Sequence, residues 1–561
     1  MLIVLAASFG YLVYRLVDLQ YINSDKYSAR SEKQRRAIVN LQAQRGVITD
    51  RKGMILAASN QTRILFAEPR VISDPKEVSN ELSGLIGCPS HEICKKIVES
   101  KNPGYAKLLT GLTDEQYKAV TDNKIFGIGV HTAWERQYPM GAADSHVVGF
   151  VSNYEQAGLS GVELKFDSQL RGSGGKNVLV VDARRRPIGM IASDAANENR
   201  HDGCGLILTL DSTIQQFTRS ALAEQIESFN AESGVAVVMD PWSGEILSLV
   251  SLPDFVPEEF SKMPADVLRN RAVTDPFEPG SIFKPIVAAV ALDAGAIGYN
   301  DVFFCEYGSY HGKGFGTIGE WGHHRFGDLS VKDILVHSSN IGVAKIGQKL
   351  GRQRLYDGVK LFGFGEKTGI DIPGEDSGIV RDVDKWDGYS VTRVPFGHEL
   401  TVTVIQIARA YCILANGGCM VHPHLVKAVY DADGTITRYP QESILAGRII
   451  KPEVADWIVK EALVGVVKEG TGKKAALDKW QVFGKTGTAD IAGVGGYANT
   501  YHVASFAGGA PVESPEVIVV VSIRNPEKSR GYTGGTVAAP VVKNIIEKTL
   551  TYLERSSVAQ N

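Results

Sequence analysis

Ser281-Ile282-Phe283-Lys284, running on into Pro285-Ile286-Val287-Ala288-Ala289-Val290, is the stretch on which the reading of this chain turns. Pro279-Gly280 closes the preceding segment, and the apolar run predicts a buried helix that starts at the serine. Pro285 is tolerable there because it falls in the first turn, where its missing N–H would have had no partner. Two further strings, Ser338-Ser339-Asn340 and Lys485-Thr486-Gly487-Thr488, follow in the order that builds a serine acyl-transfer site. Each is weak alone. Ser-x-x-Lys recurs at Ser73 and Ser173, Ser-x-Asn at Ser228, and Lys-Thr-Gly at Lys367. Context separates them. Ser73-Asp74-Pro75-Lys76 holds a proline and Ser173-Gly174-Gly175-Lys176 two glycines, so neither suits a stable helical turn. The Lys367 copy lies in glycine-rich Gly363-Phe364-Gly365-Glu366-Lys367-Thr368-Gly369 and reads as a turn.

The chemistry needs these residue types. A serine alcohol is a poor nucleophile until a base takes its proton, and a lysine can do so only when neutral. Residues three apart share a helix face, so Lys284 is expected to reach the Ser281 hydroxyl. Burial and a neighbouring cation both lower an amine's pKa, and Lys485 is the candidate neighbour. Ser338 is suited to relay a proton, and the Asn340 amide can donate to and accept from a peptide-like substrate. Trp480 to Thr488 reads as a strand with small residues where a ligand or another backbone approaches. Two more strands are expected at His502 to Gly508 and Val517 to Ile523, giving an antiparallel meander.

The chain is 561 residues long with 44% hydrophobic content, too long for one core and too apolar for general disorder. Its net charge of −3 gives no basis for nucleic-acid binding. Leu2 to Tyr14 is apolar or small throughout before Arg15 interrupts. A span wants about 20 apolar residues, so this run reads as part of a single transmembrane helix that starts upstream of Met1, the alternative being a short core helix. No basic n-region or Ala-x-Ala cleavage site makes it a signal peptide. Ser28 to Ala43 reads as a polar, solvated connector. Asp50-Arg51-Lys52-Gly53 reads as the turn of a β-hairpin with glycine in the left-handed position. Pro75 to Ile86 is expected to be helical, as is Ser212 to Phe229 behind an Asp211 or Ser212 cap. Residues 234–240 and 244–250 form a second expected hairpin. Six scattered cysteines do not make a disulfide scaffold, with Cys88–Cys94 and Cys412–Cys419 the pairings left open.

Together these motifs resemble the class B penicillin-binding proteins, monofunctional peptidoglycan D,D-transpeptidases, and in particular their division-type members. The resemblance extends to Arg45-Gly46-Val47-Ile48-Thr49-Asp50-Arg51-Lys52-Gly53, Arg136-Gln137-Tyr138-Pro139 with His146-Val147-Val148-Gly149, Gly158-Leu159-Ser160-Gly161-Val162-Glu163, Leu170-Arg171-Gly172, Phe396-Gly397, and Ala415-Asn416-Gly417-Gly418. It implies an α+β fold: a penicillin-binding transpeptidase (serine β-lactamase-like) domain, its antiparallel sheet flanked by helices, after an elongated mixed α+β pedestal and an N-terminal transmembrane helix. The expected boundaries are 1–20 for the anchor, 21–205 for the pedestal, 206–553 for the transpeptidase domain and 554–561 for a disordered tail. It also implies Ser281 as nucleophile, Lys284 as base, Ser338 as proton relay and Asn340 as substrate-binding amide. Lys485, Thr486, Gly487 and Thr488 would hold the donor's terminal carboxylate, with Lys485 counted among the catalytic groups, and the Ser281 and Thr488 N–H groups would form an oxyanion hole.

The implied partners are D-Ala-D-Ala stem-peptide donors and amine acceptors, β-lactams, the membrane, a polymerase-type glycosyltransferase and division proteins, with the catalytic domain periplasmic. No cofactor is expected. Cys305, His311, His323, His324 and His337 cluster near a place where some elongation-type relatives carry a metal. Their spacing follows no compact ligand pattern, and Asp328 and Glu320 are available to pair with the histidines, so no metal is expected. Tyr501 and His502 either border the cleft or pack beneath it. Arg136, His146, Glu163 and Arg171 read as paired charges with structural roles. A class A β-lactamase is disfavoured because no Glu-x-x-Leu-Asn-type segment lies between Asn340 and Lys485, and no Glu-Asp-x-x-Phe-x-x-His signature marks a glycosyltransferase. An idle scaffold or β-lactam sensor is disfavoured by the intact nucleophile–base pair. D,D-carboxypeptidase chemistry stays open, since the same acyl-enzyme could pass to water.

Overall fold

A computed structural model describes the chain apart from residues 153–155, 182–186, 191–198, 432, 439–444, 494, 495 and 561. It divides into two compact units: Met1–Gly46, Ser59–Glu135 and Ser168–Cys204 in the first, Val47–Ala58, Arg136–Asp167 and Gly205–Asn561 in the second. The stretches Val47–Ala58 and Arg136–Asp167 pack with the second unit.

In the first unit, helix α1 (Leu2–Val17) runs on through Asp18–Ile22. The 21 residues from Leu2 to Ile22 are long and apolar enough to cross a membrane. Arg15, which interrupts the apolar run, donates to Asp18 at 3.0 Å one turn later. The expected connector is regular structure instead: a helix over Ser24–Arg35, then a strand over Arg36–Leu41 antiparallel to Gly175–Val181. Ala37, Ile38, Val39 and Leu41 carried that strand signal, which the flanking lysines and arginines masked. Further along, helices Pro75–Ile86, Ser90–Val98 and Asp114–Asn123 share a core of Leu65, Leu82, Ile86, Ile93, Ile97, Leu108 and Val120. The first begins where expected because the Asp74 carboxylate caps it, accepting from the Lys76 and Glu77 N–H groups.

The second unit is built on a five-stranded antiparallel sheet. Its strands are β1 (Ser233–Met239), β2 (Ile246–Leu252), β3 (Phe483–Gly493), β4 (Gly496–Ala510) and β5 (Val517–Arg524), in the order β2-β1-β5-β4-β3. The expected hairpin and meander are both present. Helix α2 (Ser212–Ser228) is capped by Asp211 through the Thr213 and Ile214 N–H groups. It packs with the C-terminal helix against the sheet around Leu222, Ala236, Val238, Phe506, Val519, Val521, Ile545 and Ile546. That last helix runs Ala539–Gln560, so the tail expected to be disordered from 554 is helical to Gln560. Glu554 pairs with Lys479 and the Ser556 hydroxyl donates to the Tyr552 carbonyl, which extends the helix past Leu553. Asn561 lies outside the described residues.

Two helices pack together: α3 (Lys284–Asp293), buried from Lys284 to Leu292, and α4 (Asn340–Leu350). A third, α5 (Val404–Ala415), has every residue buried and a Thr403/Gln406 capping box. The hairpin turn at Gly53 has φ +87°, between strands Ile48–Thr49 and Ile55–Ala67, as its sequence required. Arg136 and Glu163 form a buried ion pair at 2.7 Å, in keeping with the structural role read for them. None of the six cysteines forms a disulfide.

Candidate active site

Ser281 lies in a single 3-10 turn, Gly280–Phe283, that leads straight into α3. Gly280 opens the turn at φ +57°, a conformation that L side chains adopt only under strain. Behind the turn, the Tyr411 hydroxyl of α5 donates to the Ile282 carbonyl at 2.9 Å. Burial pushes that phenol well above its usual range, so it stays a donor.

Lys284 is completely buried, and its amine makes three contacts with the second motif. It lies 2.6 Å from the Ser338 carbonyl, 2.7 Å from Asn340 Oδ1 and 3.2 Å from Ser338 Oγ. Sequence spacing aimed this amine at the Ser281 hydroxyl, yet its polar contacts all go to Ser338 and Asn340. The reason lies in Ser338, held at φ +60°, which turns its carbonyl and its hydroxyl toward the same point. A serine in the left-handed region is a local cost that the surrounding contacts must offset.

Burial drops the Lys284 amine to about 7, with the Glu320 carboxylate pulling the other way. Of the two causes expected, burial and the neighbouring Lys485, burial is the one that lowers this amine. Lys485 is also fully buried and is pushed well below the usual lysine range, first by burial and then by the charge of Lys284. Its amine donates to the Thr486 carbonyl at 3.1 Å.

The third motif lies on β3, the edge strand of the sheet, with Lys485 opposite Ala507, Gly487 opposite Ser505 and Thr488 opposite Ala504. An edge strand leaves one side open for an extended ligand. Gly487 is where the strand meets the turn that holds Ser281: a Cβ there would fall 2.4 Å from Ser505 Oγ, 3.0 Å from Ile282 Cγ2 and 3.2 Å from the Pro279 carbonyl. A Cβ on Gly280 would likewise lie 3.2 Å from the Thr488 carbonyl. Thr486 Oγ1 pairs with Thr471 Oγ1 at 2.6 Å, and Thr488 Oγ1 accepts from the Gly534 N–H at 3.2 Å. The three motifs therefore converge on one place. Ser281, Ser338, Asn340 and Thr488 are half-buried at its surface, while Lys284, Lys485, Thr486 and Gly487 form its floor.

The other copies of the motifs do not take part. Asp74-Pro75 opens a helix, and the Thr368 and Gly369 N–H groups bind the Glu375 carboxylate in a turn with Gly369 at φ +85°. His311 bonds Ser309 and Thr317, and His324 and His337 each stack with Phe326. Glu320 does not pair with a histidine; its carboxylate takes the start of α4. Among the described residues no three His, Cys, Asp or Glu side chains are arranged to hold a metal. His502 is buried, bonds Asp490 at 2.8 Å and lies against the Tyr532 ring at a tilt, whereas Tyr501 is exposed. Sequence reading missed Tyr411 as a support of the turn that holds Ser281 and Glu320 as a support of the second motif. Neither has a local pattern that could reveal it, since each partner is remote in sequence.

Two families match the chain: the penicillin-binding protein transpeptidase domain over residues 234–547, and the penicillin-binding protein dimerisation domain over residues 40–208. Stage V sporulation protein D of Bacillus subtilis is 31% identical over 97% of this chain and 84% of its own length. The peptidoglycan D,D-transpeptidase FtsI of Escherichia coli is 30% identical over 95% of this chain and 87% of its own. Among solved structures, a peptidoglycan synthetase from Bifidobacterium adolescentis superposes with a TM-score of 0.73 at 25% identity, covering 93% of this chain and 97% of its own. Penicillin-binding protein 3 of Mycobacterium tuberculosis with aztreonam gives 0.71 at 25% identity, covering 92% and 97%. With this likeness along nearly its whole length and three motifs gathered around one buried lysine, the chain belongs to the class B penicillin-binding proteins, the family of peptidoglycan D,D-transpeptidases.

Proposed function

We infer that Ser281 is the nucleophile of a stem-peptide cross-linking reaction and that Lys284 is its base. The observation that carries this reading is the burial of an amine lowered to about 7 between the turn holding Ser281 and the Ser338–Asn340 motif. A neutral amine has two N–H donors. The two short contacts of Lys284 go to the Ser338 carbonyl and Asn340 Oδ1, which only accept, and the longest goes to a hydroxyl, which can also donate. Loss of one proton therefore frees a lone pair without leaving either acceptor unpaired.

In the first half-reaction the Ser281 oxygen attacks the penultimate D-Ala carbonyl. The C–O bond forms, the C–N bond to the terminal D-Ala breaks, and the hydroxyl proton passes through Lys284 and Ser338 to the departing amine. In the second, an acceptor amine from a neighbouring stem attacks the acyl-serine, the C–O bond breaks, and the proton returns to Ser281. The Ser281 and Thr488 N–H groups face the developing oxyanion, a reading supported by the closeness of the two segments, since a Cβ added to Gly280 would lie 3.2 Å from the Thr488 carbonyl. Such donors contribute roughly 3–4 kcal/mol each. Lys485, Thr486, Gly487 and Thr488 bind the donor's terminal carboxylate along the open edge of β3, and the arriving anion favours the charged form of Lys485. Asn340 holds the donor's amide. A β-lactam enters as a donor mimic and stalls as the acyl-serine.

The Leu2–Ile22 helix anchors the enzyme in the cytoplasmic membrane with the catalytic unit on the periplasmic side. Division proteins and a polymerase-type glycosyltransferase are its partners in septal wall synthesis. The test is covalent labelling by a fluorescent penicillin, present in the wild type and lost in Ser281→Ala. Mass spectrometry of donor–acceptor stem-peptide products then separates cross-linking from hydrolysis. Labelling that persists in Ser281→Ala would sink the nucleophile assignment.

A further inference from the structure

The segment between the first and second motifs forms two small hairpins, Val302–Phe304 with Asp328–Ser330 and Ser309–Gly312 with Gly316–Gly319. The second ends directly at Glu320, whose residue surface is only 9% exposed. Its carboxylate meets the start of α4 at three points. Oε2 accepts from the Asn340 N–H at 2.6 Å; Oε1 accepts from the Ser339 hydroxyl at 2.5 Å and from the Ile341 N–H at 3.3 Å. The Ser339 hydroxyl in turn accepts from the Gly342 N–H at 2.9 Å as the cap of α4. A carboxylate against the first N–H groups of a helix suits the positive end of the macrodipole.

The neighbouring residue completes a clamp. The Gly319 carbonyl accepts from Asn340 Nδ2 at 3.1 Å. With its NH2 engaged there, the Asn340 amide presents Oδ1 on the other side, where it receives Lys284 at 2.7 Å. One short stretch, Gly319-Glu320, thus holds Asn340 by backbone and side chain at once and fixes which end of the amide faces the base.

We propose that Glu320 is a positioning residue of the acyl-transfer reaction, anchoring the second motif so that Ser338 and Asn340 hold Lys284 in place, and acting on Lys284 also through its charge. The proposal rests on the reading of Lys284 as the base of Ser281. The charge acts in one direction: a nearby anion favours the ammonium, so Glu320 limits how far burial lowers Lys284. Other ionisable groups around these two residues are Lys485 on β3, whose amine feels the charge of Lys284, and His398 ahead of α5, which feels Lys284, Glu278 and Asp490. Cys305 adjoins the Ser339 hydroxyl and is held protonated by burial, with Lys345 and Asp328 acting on the thiol beyond. None of these replaces Glu320 at the Asn340 N–H.

The experiment measures the acylation rate of the full chain by a fluorescent penicillin against pH, with the first, non-covalent binding step resolved from acylation. In Glu320→Gln the charge is lost at nearly constant shape. The midpoint of the rate profile is expected to fall by about 0.5–1 pH unit. The plateau rate is expected to fall about tenfold, with little change in the non-covalent step. Glu320→Asp keeps the charge but shortens the reach, so its plateau falls while its midpoint stays near that of the wild type. Melting temperatures establish that each variant is folded, and Glu320→Asp carries the plateau test should Glu320→Gln not fold. A folded Glu320→Gln with the wild-type midpoint and plateau, or a Glu320→Asp whose only change is a lower melting temperature, overturns the proposal. Loss of labelling in Ser281→Ala, run alongside, distinguishes such a failure from failure of the nucleophile assignment itself.

Discussion

Lys284 Nζ lies 2.7 Å from Asn340 Oδ1, a contact that ties the helix carrying the first motif to the helix carrying the second across 56 positions of sequence. The burial of this amine sets its protonation. Burial brings the amine from the ordinary lysine value of 10.5 to about 7, so a neutral base becomes available near neutrality. Below that value the amine is protonated and cannot accept the Ser281 proton. The acylation rate by a β-lactam is therefore expected to rise about tenfold per unit at the acid end and level off above pH 7. A stopped-flow profile that stays flat across this range would remove Lys284 from the role of base. Lys284→Ala should slow acylation by roughly a hundredfold or more while leaving the initial binding step nearly intact.

Tyr411→Phe isolates the support behind Ser281. The variant deletes only the hydroxyl that donates to the Ile282 carbonyl, leaving that buried acceptor without its partner. A stability loss of about 1–2 kcal/mol is expected in chemical denaturation. Because the carbonyl belongs to the turn that carries Ser281, acylation should slow as well, by a few-fold. Unchanged acylation with reduced stability would show that the turn keeps its geometry without the tyrosine.

Much of this site was legible in the sequence because short motifs record local requirements. Pro279-Gly280 before Ser281 announced a break and a helix start, and the small residues of Lys485-Thr486-Gly487-Thr488 announced a close approach. Remote partners were not legible. Nothing around Tyr411 predicts that its hydroxyl reaches Ile282, and nothing around Glu320 says that it caps a helix starting at Asn340. The direction of Lys284 was misread for a related reason: helix periodicity pointed it at Ser281, but the left-handed backbone at Ser338 draws it to the second motif. In the fold, the strand over Arg36–Leu41 was hidden because its partner, Gly175–Val181, is far away in sequence. The helical end of the chain was hidden because the contact of Glu554 with Lys479 is invisible in a polar tail.

Gly487→Ala tests the close approach of β3 to the turn that holds Ser281. The added methyl meets Ser505 Oγ at 2.4 Å on one side and the Ile282 and Pro279 positions on the other, so the strand must move or the turn must yield. The expected cost is about 1–3 kcal/mol of stability. Acylation should fall by more than that loss explains, since the displacement separates Thr488 from Ser281. The two are distinguished by measuring the acylation rate of the fully folded fraction. A variant with wild-type acylation and stability would mean that the gap at Gly487 is wider than the backbone indicates.

Asp144 predicts a pH-dependent stability away from the active site. Its carboxyl is buried, no donor from another residue meets either oxygen among the described residues, and burial, opposed by its own backbone N–H and helped by the like charge of Glu258, raises its pKa to about 7. Between 3.8 and about 7 the folded chain keeps a proton that the unfolded chain has released, so stability falls as pH rises through this window. Above it the folded state carries the full cost of a buried anion. Asp144→Asn removes the titration and preserves the shape. The variant should exceed the wild type in stability by about 2–4 kcal/mol at pH 8 and match it near pH 4, as read from denaturant midpoints. An equal gap at both pH values would mean that packing, and not the charge of Asp144, accounts for the difference.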